Sequence, residues 1–157
     1  MIFLIILQAF VFSKMALLGF VSPMVYGMLL YIYPTHKNRS LWITWAFLLG
    51  LLLDILLDSV ALHATVLVLM AYIRPKIMRF IFGLNFEHSN FKIHQAPIAQ
   101  RYSFIATVIF LQHFLYFAAE AFDWSKIGLI LQKTFVTGLV SFMFAVLLMI
   151  LLSPKKK

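Results

Sequence analysis

Two acidic residues and a histidine around a predicted turn are the residues of this chain whose types and spacing best suit chemistry. Asp54 and Asp58 are four residues apart, and His63 follows a polar turn at Asp58–Ser59. Asp54 and His63 are equally far from the middle of that turn, so an antiparallel hairpin would place them at similar depth. One hypothesis is a hydrogen bond between their side chains. The alternatives are that Asp54 caps the next helix or reaches water, which the helix dipole also favours, or that it contacts a partner protein.

The remaining patterns do not favour catalysis. Carboxylates at positions i and i+4 share one helix face, so Asp54 and Asp58 cannot flank a substrate from both sides. The sequence contains neither a phosphate-binding glycine loop nor a His-Glu-x-x-His motif, and its five histidines lack four-residue spacing. The absence of cysteine excludes disulfides and Cys-ligated zinc. We therefore predict a protein that is not an enzyme and has no cofactor or metal.

Three further polar residues interrupt a later apolar stretch. Gln112 and His113 lie near its middle, and Glu120 lies near its end. Polar groups at membrane depth are costly and are expected to face other helices rather than lipid. Gln112 and His113 are therefore candidates for an interhelical hydrogen bond, for a transport or proton-relay role, or for a protein contact. Glu120 is expected at the outer end of its helix.

The composition indicates that membrane helices carry these residues. Of 157 residues, 64% are hydrophobic and 11% are charged, whereas soluble domains average about 45–50% and 25%. The mean hydropathy is +0.99. Because one span takes about 20 residues, six spans occupy most of the chain and leave no room for a separate soluble domain. We predict an all-α integral membrane protein in which residues 1–157 form one domain of about six transmembrane helices with short loops.

Apolar runs define the predicted spans. Proline at position 23 suits the first turn of the second span, and Arg74-Pro75 is predicted to end the fourth. The amphipathic piece Pro75–Phe82 is then expected to lie along the membrane interface, and Trp42 and Trp45 in the headgroup layer. The six spans are Ile2–Phe12, Pro23–Tyr33, Leu41–Leu57, Val60–Ile73, Tyr102–Phe122 and Thr134–Leu152.

Positive charge predicts the orientation. The chain has 13 Lys and Arg residues against 5 Asp and Glu. Ten of the thirteen fall in the Thr35–Ser40 loop, the Arg74–Arg101 region and the C-terminal tail, which six crossings place on one side. Cytoplasmic loops hold such an excess, so both termini are predicted to be cytoplasmic. Nucleic acid is not an expected partner, because no basic stretch is interleaved with aromatic residues.

The segment from Gly50 to Pro75 resembles the signature of the bacterial rod shape-determining membrane protein family MreD. It reads Gly-Leu-Leu-Leu-Asp-Ile, a short polar turn, Leu-His-Ala, and then Leu-Met-Ala-Tyr-Ile-Arg-Pro. Leu7-Gln8, Gly19, Pro23 and the chain length are also similar to that family. Ala61 departs from it, since the family often carries glycine there, and this bears on the tightness of the turn.

The resemblance implies a non-catalytic component of the cell-elongation machinery in the bacterial inner membrane, which regulates cell shape and side-wall peptidoglycan synthesis. The implied partners are an MreC-like periplasmic coiled-coil protein, an MreB-like actin homologue, a RodA-type glycosyltransferase, a class B penicillin-binding protein and the lipid bilayer.

The family's helical arrangement is similar to the substrate-binding component of energy-coupling-factor transporters. A small-solute-binding membrane subunit is therefore the alternative, which requires a convergent polar pocket at the outer face. A lipid-modifying intramembrane enzyme is a third interpretation. The candidate structural or functional residues are Gly50, Asp54, Asp58, His63, Arg74, Pro75, Gln112, His113 and Glu120.

Overall fold

The computed structural model describes residues 2–12, 23–33, 38–87 and 91–152, and within these ranges it contains helices and turns but no strand. Helix α1 spans Ile2–Leu7 and continues as a π-helical turn over Gln8–Phe12. The other helices are α2 (Met28–Ile32), α3 (Arg39–Leu57), α4 (Leu62–Phe82), α5 (Ile98–Ala121) and α6 (Ile127–Leu152). Short 3₁₀ turns lie at Gly83–Glu87, Ile93–Gln95 and Trp124–Lys126. The prediction of an all-α protein is confirmed for this part of the chain.

Within the described residues, three segments are long and apolar enough to cross a membrane: α3, α5, and Trp124–Leu151, which contains most of α6. Helix α4 has 21 residues, but Arg74, Lys76 and Arg79 give its second half more charge than a typical span. The helices thus have the length and composition of a membrane protein. The count of six spans and the placement of the termini stay predictions.

Two helical hairpins build the bundle. The turn at residues 58–61 folds α4 back on α3, and the turn at 122–126 folds α6 back on α5. The hairpins meet where α4 packs on α5, while α1 contacts α3 and α2 contacts both α4 and α5. The segment that includes α2 fills the interior, since Val25, Tyr26, Leu29 and Leu30 are fully buried.

The predicted break at Arg74-Pro75 is wrong, because α4 runs through Pro75 to Phe82 without interruption. Proline removes one helical hydrogen bond and crowds the carbonyl four residues earlier. Packing offsets this cost, since Ile77, Met78 and Phe82 beyond the proline are all buried in the core. Residues 75–82 are therefore the end of a bundle helix, not a separate interfacial piece.

The second predicted span is only partly helical. Residues 23–25 have no regular structure and a turn follows at Tyr26-Gly27, so Pro23 is not in the first turn of a helix. The helix itself, α2, has five residues and ends at Ile32, since the backbone of the next residue, Tyr33, is extended. Apolar composition did not indicate that residues 23–25 lack regular structure.

Other boundaries also differ from the prediction. Helix α5 begins at Ile98 instead of Tyr102, and α6 begins at Ile127 instead of Thr134. Lys133, near the start of α6, and Lys126, just before it, lowered the apparent hydropathy there. Trp42 is 2% exposed, with its ring stacked on Tyr33 at a centroid distance of 4.0 Å, so it is covered by protein; its placement in the headgroup layer stays a prediction. Trp45, by contrast, is exposed.

Candidate functional site

Asp54 lies in the last turn of α3 and caps the start of α4. Its Oδ1 accepts hydrogen bonds from the His63 backbone N–H at 2.9 Å and from the Ser59 hydroxyl at 2.5 Å. Its Oδ2 accepts from the Ala64 backbone N–H at 2.8 Å. The first N–H groups of a helix have no partner within the helix, and Ala61 at the N-cap offers no side-chain acceptor. The carboxylate of the preceding helix therefore supplies the cap, which confirms the capping alternative for Asp54.

The predicted side-chain bond between Asp54 and His63 is wrong. The carboxylate bonds to the backbone of His63, whereas the imidazole Nδ1 lies 3.0 Å from the Tyr26 hydroxyl. The His63 ring also stacks on Tyr116 at a centroid distance of 4.9 Å. Equal depth in the hairpin was predicted correctly, but at that depth the unpaired backbone N–H groups of α4 are the nearest donors to the carboxylate.

Gly50 sets the distance between α3 and α4 one turn before Asp54. A Cβ atom at Gly50 would overlap the Ala64 backbone and would lie 2.9 Å from the His63 carbonyl oxygen. The two helix backbones are thus in direct contact, as small residues permit in membrane helices. This close approach brings the Asp54 carboxylate within reach of the start of α4.

The irregular segment 23–27 is held by a side-chain amide from the first helix. Gln8 donates from Nε2 to the Pro23 carbonyl at 2.9 Å and accepts at Oε1 from the Val25 N–H at 2.8 Å. Backbone without regular structure is tolerated at membrane depth only where protein satisfies its polar groups. Gln8 meets that condition for two of these groups at once.

Arg74 binds two backbone carbonyls at the C-terminal end of α2, the helix that follows residues 23–27. Its Nε donates to the Leu30 carbonyl at 2.7 Å, and its Nη2 donates to the Tyr33 carbonyl at 2.6 Å. Both carbonyls belong to the C-terminal end of α2, where the helix dipole favours a positive charge. The guanidinium is buried and also lies over the Tyr33 ring, 5.8 Å from its centroid. Arg74 is therefore the C-terminal cap of α2, supplied by α4.

His113 forms the interhelical hydrogen bond that was one of its three predicted roles. Its Nδ1 lies 2.8 Å from the Ile109 carbonyl, which can only accept, so Nδ1 carries the proton. Its Nε2 must then accept from the Ser141 hydroxyl of α6 at 3.0 Å. The Ser141 oxygen in turn accepts from the Met24 N–H at 2.9 Å. One chain of bonds thus joins α5, α6 and the irregular segment.

Gln112 is fully buried, as predicted, but has a different environment from its neighbour. Its amide lies against Gly27, where any side chain would collide with the Gln112 Oε1 atom. It lies close to the Tyr26 hydroxyl, yet neither amide atom has a partner in hydrogen-bonding geometry among the described residues. The predicted hydrogen bond for Gln112 is therefore not seen.

The remaining candidates lie away from this polar interior. Asp58 is exposed in the α3–α4 turn, where its φ of 53° is left-handed. Glu120 is exposed at the end of α5, as expected, and pairs with Lys133 at 3.5 Å. The small residues Gly138, Ser141 and Ala145 of α6 are buried in helix packing. Among the described residues no group of three side chains suits a metal ion.

A crevice lies between α4 and α5 at the end of the bundle that holds Glu120. It has a volume of about 410 Å³, and we call it the α4–α5 crevice. Its walls are mainly apolar, and Asp54 and His63 do not line it. It is lined by residues that include Thr65 and Leu69 of α4, Leu115, Ala118 and Ala119 of α5, and Trp124 at its mouth.

The sequence did not indicate that Tyr26 bonds to His63, or that Gln8 and Ser141 bond to the backbone of residues 23–25. All three serve the backbone or the side chains around the irregular segment. The available signal was the pair of helix breakers, Pro23 and Gly27, inside a run of apolar residues. Buried backbone without helical hydrogen bonds requires polar side chains from neighbouring helices.

No protein-family model, curated protein or solved structure matches this chain. Family and function are therefore argued from the residues and their geometry.

Proposed function

We propose that this chain is a non-catalytic, multi-pass component of the bacterial cell-elongation machinery, similar to MreD. In this role it supports the assembly of an MreC-like protein, an MreB-like filament, a RodA-type glycosyltransferase and a class B penicillin-binding protein. It acts in the inner membrane and so regulates cell shape and side-wall peptidoglycan synthesis.

The observation that carries the proposal is the structural role of three residues in the segment that resembles MreD. In the α3–α4 hairpin, Gly50 permits backbone contact, Asp54 caps α4 and Arg74 caps α2. The residues that carry the resemblance thus have defined structural roles in this bundle, and this supports the proposal.

The bonding of the buried polar groups supports a structural role over catalysis. Gln8 and Arg74 bond to backbone groups, Asp54 bonds to two backbone N–H groups and the Ser59 hydroxyl, and the His113–Ser141 pair ends on the Met24 backbone. Side chains engaged in this way stabilise a bundle that can present surfaces to partner proteins. Rearranging them for a reaction would leave buried backbone groups unpaired, at about 1–3 kcal/mol each.

Six crossings with both termini in the cytoplasm belong to the same proposal. Helix α4 lies between α3 and α5, which both have the length of a span, so it crosses with them. Arg39, Arg79 and Arg101 lie at the ends of α3, α4 and α5 that share one side of the antiparallel bundle. That side is cytoplasmic by the positive-inside rule.

One observation favours the alternative of a solute-binding subunit. The buried amide of Gln112 has no hydrogen-bond partner among the described residues, and interrupted helices often form substrate sites in transporters. Against it, the α4–α5 crevice has mainly apolar walls, whereas a vitamin-like solute needs converging polar groups. The scaffold is therefore the proposal we retain.

The test is depletion of the protein in its rod-shaped host. We expect rounded cells, restoration of rods by the wild-type gene, and co-purification of the MreC-like partner in mild detergent. The variant Leu139→Ala, on the exposed face of α6, serves as the matched control and should restore rods. Normal shape on depletion, together with tight binding of a vitamin-like solute by the purified protein, would replace this proposal with the alternative.

A further inference from the structure

The α4–α5 crevice lies within the apolar part of the bundle. Leu69 is seven residues from the start of α4 and Leu115 is six residues from the end of α5, so the crevice reaches about 10 Å inward at 1.5 Å per residue. Nearer the end of α5 its lining includes Ala118 and Ala119, whose side chains are short. An apolar ligand at this depth would lie alongside the membrane's acyl chains.

The volume of the α4–α5 crevice limits the size of the ligand that it can hold. Sites of roughly 300–1,000 Å³ hold one small molecule or chain, and this crevice measures about 410 Å³. A transmembrane helix is about 10–12 Å across and about 30 Å long, which is far larger than this space. A single acyl chain is the membrane constituent that matches it.

Asp123 lines the crevice, and Lys126 lies next to Asp123 in the same turn. The Asp123 carboxylate lies 3.6 Å from the Lys126 ammonium, and both side chains are about half exposed. Hydrogen bonds from Ser125 lower the pKa of Asp123 below its usual value. An exposed pair of this kind contributes little by itself, and its two groups can exchange partners with a ligand at little cost.

Two exposed aromatic residues border the same mouth. Trp124 is 74% exposed, in the position that tryptophan takes at membrane interfaces. Phe122 has a left-handed backbone with φ 43°, which is uncommon for a bulky residue, and its side chain is 94% exposed. The turn thus places two aromatic side chains beside the opening, where the headgroup of a bound lipid would lie.

We propose that the α4–α5 crevice binds one zwitterionic phospholipid, with an acyl chain between the helices and the headgroup at Asp123 and Lys126. The carboxylate of Asp123 pairs with the headgroup ammonium, and the ammonium of Lys126 pairs with the phosphate. Phosphatidylglycerol lacks the ammonium and would leave the Asp123 carboxylate without a headgroup partner. Phosphatidylethanolamine is therefore bound in preference to phosphatidylglycerol, whatever proteins the bundle assembles with.

The test is native mass spectrometry of the delipidated full chain, offered equal amounts of phosphatidylethanolamine and phosphatidylglycerol. We expect one retained lipid with preference for phosphatidylethanolamine. Ala119→Phe fills the crevice and should weaken retention by about tenfold or more, equivalent to about 1.4 kcal/mol. Leu139→Phe adds the same ring to the exposed face of α6 and should retain lipid like the wild type. Equal lipid retention by Ala119→Phe and the wild type would overturn the proposal.

A second variant keeps the proposal testable if Ala119→Phe does not fold. Asp123→Lys reverses the charge in the turn, removes the cap on the Ser125 N–H, and should shift the preference towards phosphatidylglycerol. Absence of any retained lipid in the wild type, or an unchanged headgroup preference in Asp123→Lys, would also overturn it.

Discussion

At the scale of the residue, Asp54 joins two helices through backbone groups. Replacing it by leucine leaves the N–H groups of His63 and Ala64 unpaired, at about 1–3 kcal/mol for each buried group. Asp54→Asn keeps one acceptor oxygen and should lose less stability. Because the carboxylate does not bond to the imidazole, adding His63→Leu to Asp54→Leu should bring no recovery. Thermal unfolding in detergent measures all four proteins of this double-mutant cycle.

The matched control for Asp54→Asn is Asp58→Asn, which makes the same substitution at an exposed residue of the turn between α3 and α4. Asparagine also tolerates the left-handed backbone that Asp58 adopts, so stability should change by less than about 0.5 kcal/mol. Substantial recovery in the Asp54/His63 double variant would restore the side-chain pair and contradict the capping role.

Arg74 is the second residue whose chemistry can be tested by a conservative change. Arg74→Lys replaces a planar fork, which reaches the carbonyls of Leu30 and Tyr33 together, with a single ammonium. One charge-assisted bond should be lost, which corresponds to about 1.5–3 kcal/mol. We expect faster amide hydrogen exchange in residues 28–33 and a lower unfolding temperature. The same change at exposed Arg79 should alter neither, and equal effects at the two positions would argue against the cap.

At the scale of the element, the α3–α4 turn carries strain at Ala61. Its φ of 54° is left-handed, a conformation that costs an L-residue with a side chain roughly 1–2 kcal/mol. Ala61→Gly removes that cost but raises the conformational entropy of the unfolded chain. A net gain of about 0.5–1 kcal/mol in the free energy of unfolding is therefore expected, measured by thermal unfolding. Ala106→Gly, in the middle of α5, should instead destabilise by about 1 kcal/mol. A loss of stability in both variants would refute strain at Ala61.

At the scale of the whole molecule, the placement of the basic residues predicts the topology. Reporter fusions within residues 83–100 and after Lys157 should be cytoplasmic, and a fusion near Ser125 should be periplasmic. The antiparallel hairpins require residues 83–100 and Ser125 to lie at opposite ends of α5. A periplasmic reporter within residues 83–100 would refute the predicted orientation and the cytoplasmic basic loops.

The sequence alone determined the helical class, the membrane character and the hairpin turn at Asp58–Ser59. These properties depend on composition and on local order, because hydropathy adds up along a segment and a helix bonds within itself. The same reasoning placed Gln112 and His113 in the interior, since lipid cannot accept polar side chains at that depth. It also identified Asp54 as a group that needs a partner.

Only the tertiary structure decided which partner each buried polar group takes. Ser141 bonds to Met24 across 117 positions and Arg74 to Leu30 across 44, so no local pattern could indicate these bonds. The carboxylate of Asp54 bonds to backbone N–H groups and not to the His63 ring, because the contact at Gly50 brings the unpaired start of α4 next to it. The helix break near Pro23 and Gly27 is stable for the same reason: distant side chains satisfy the backbone groups that the break leaves free.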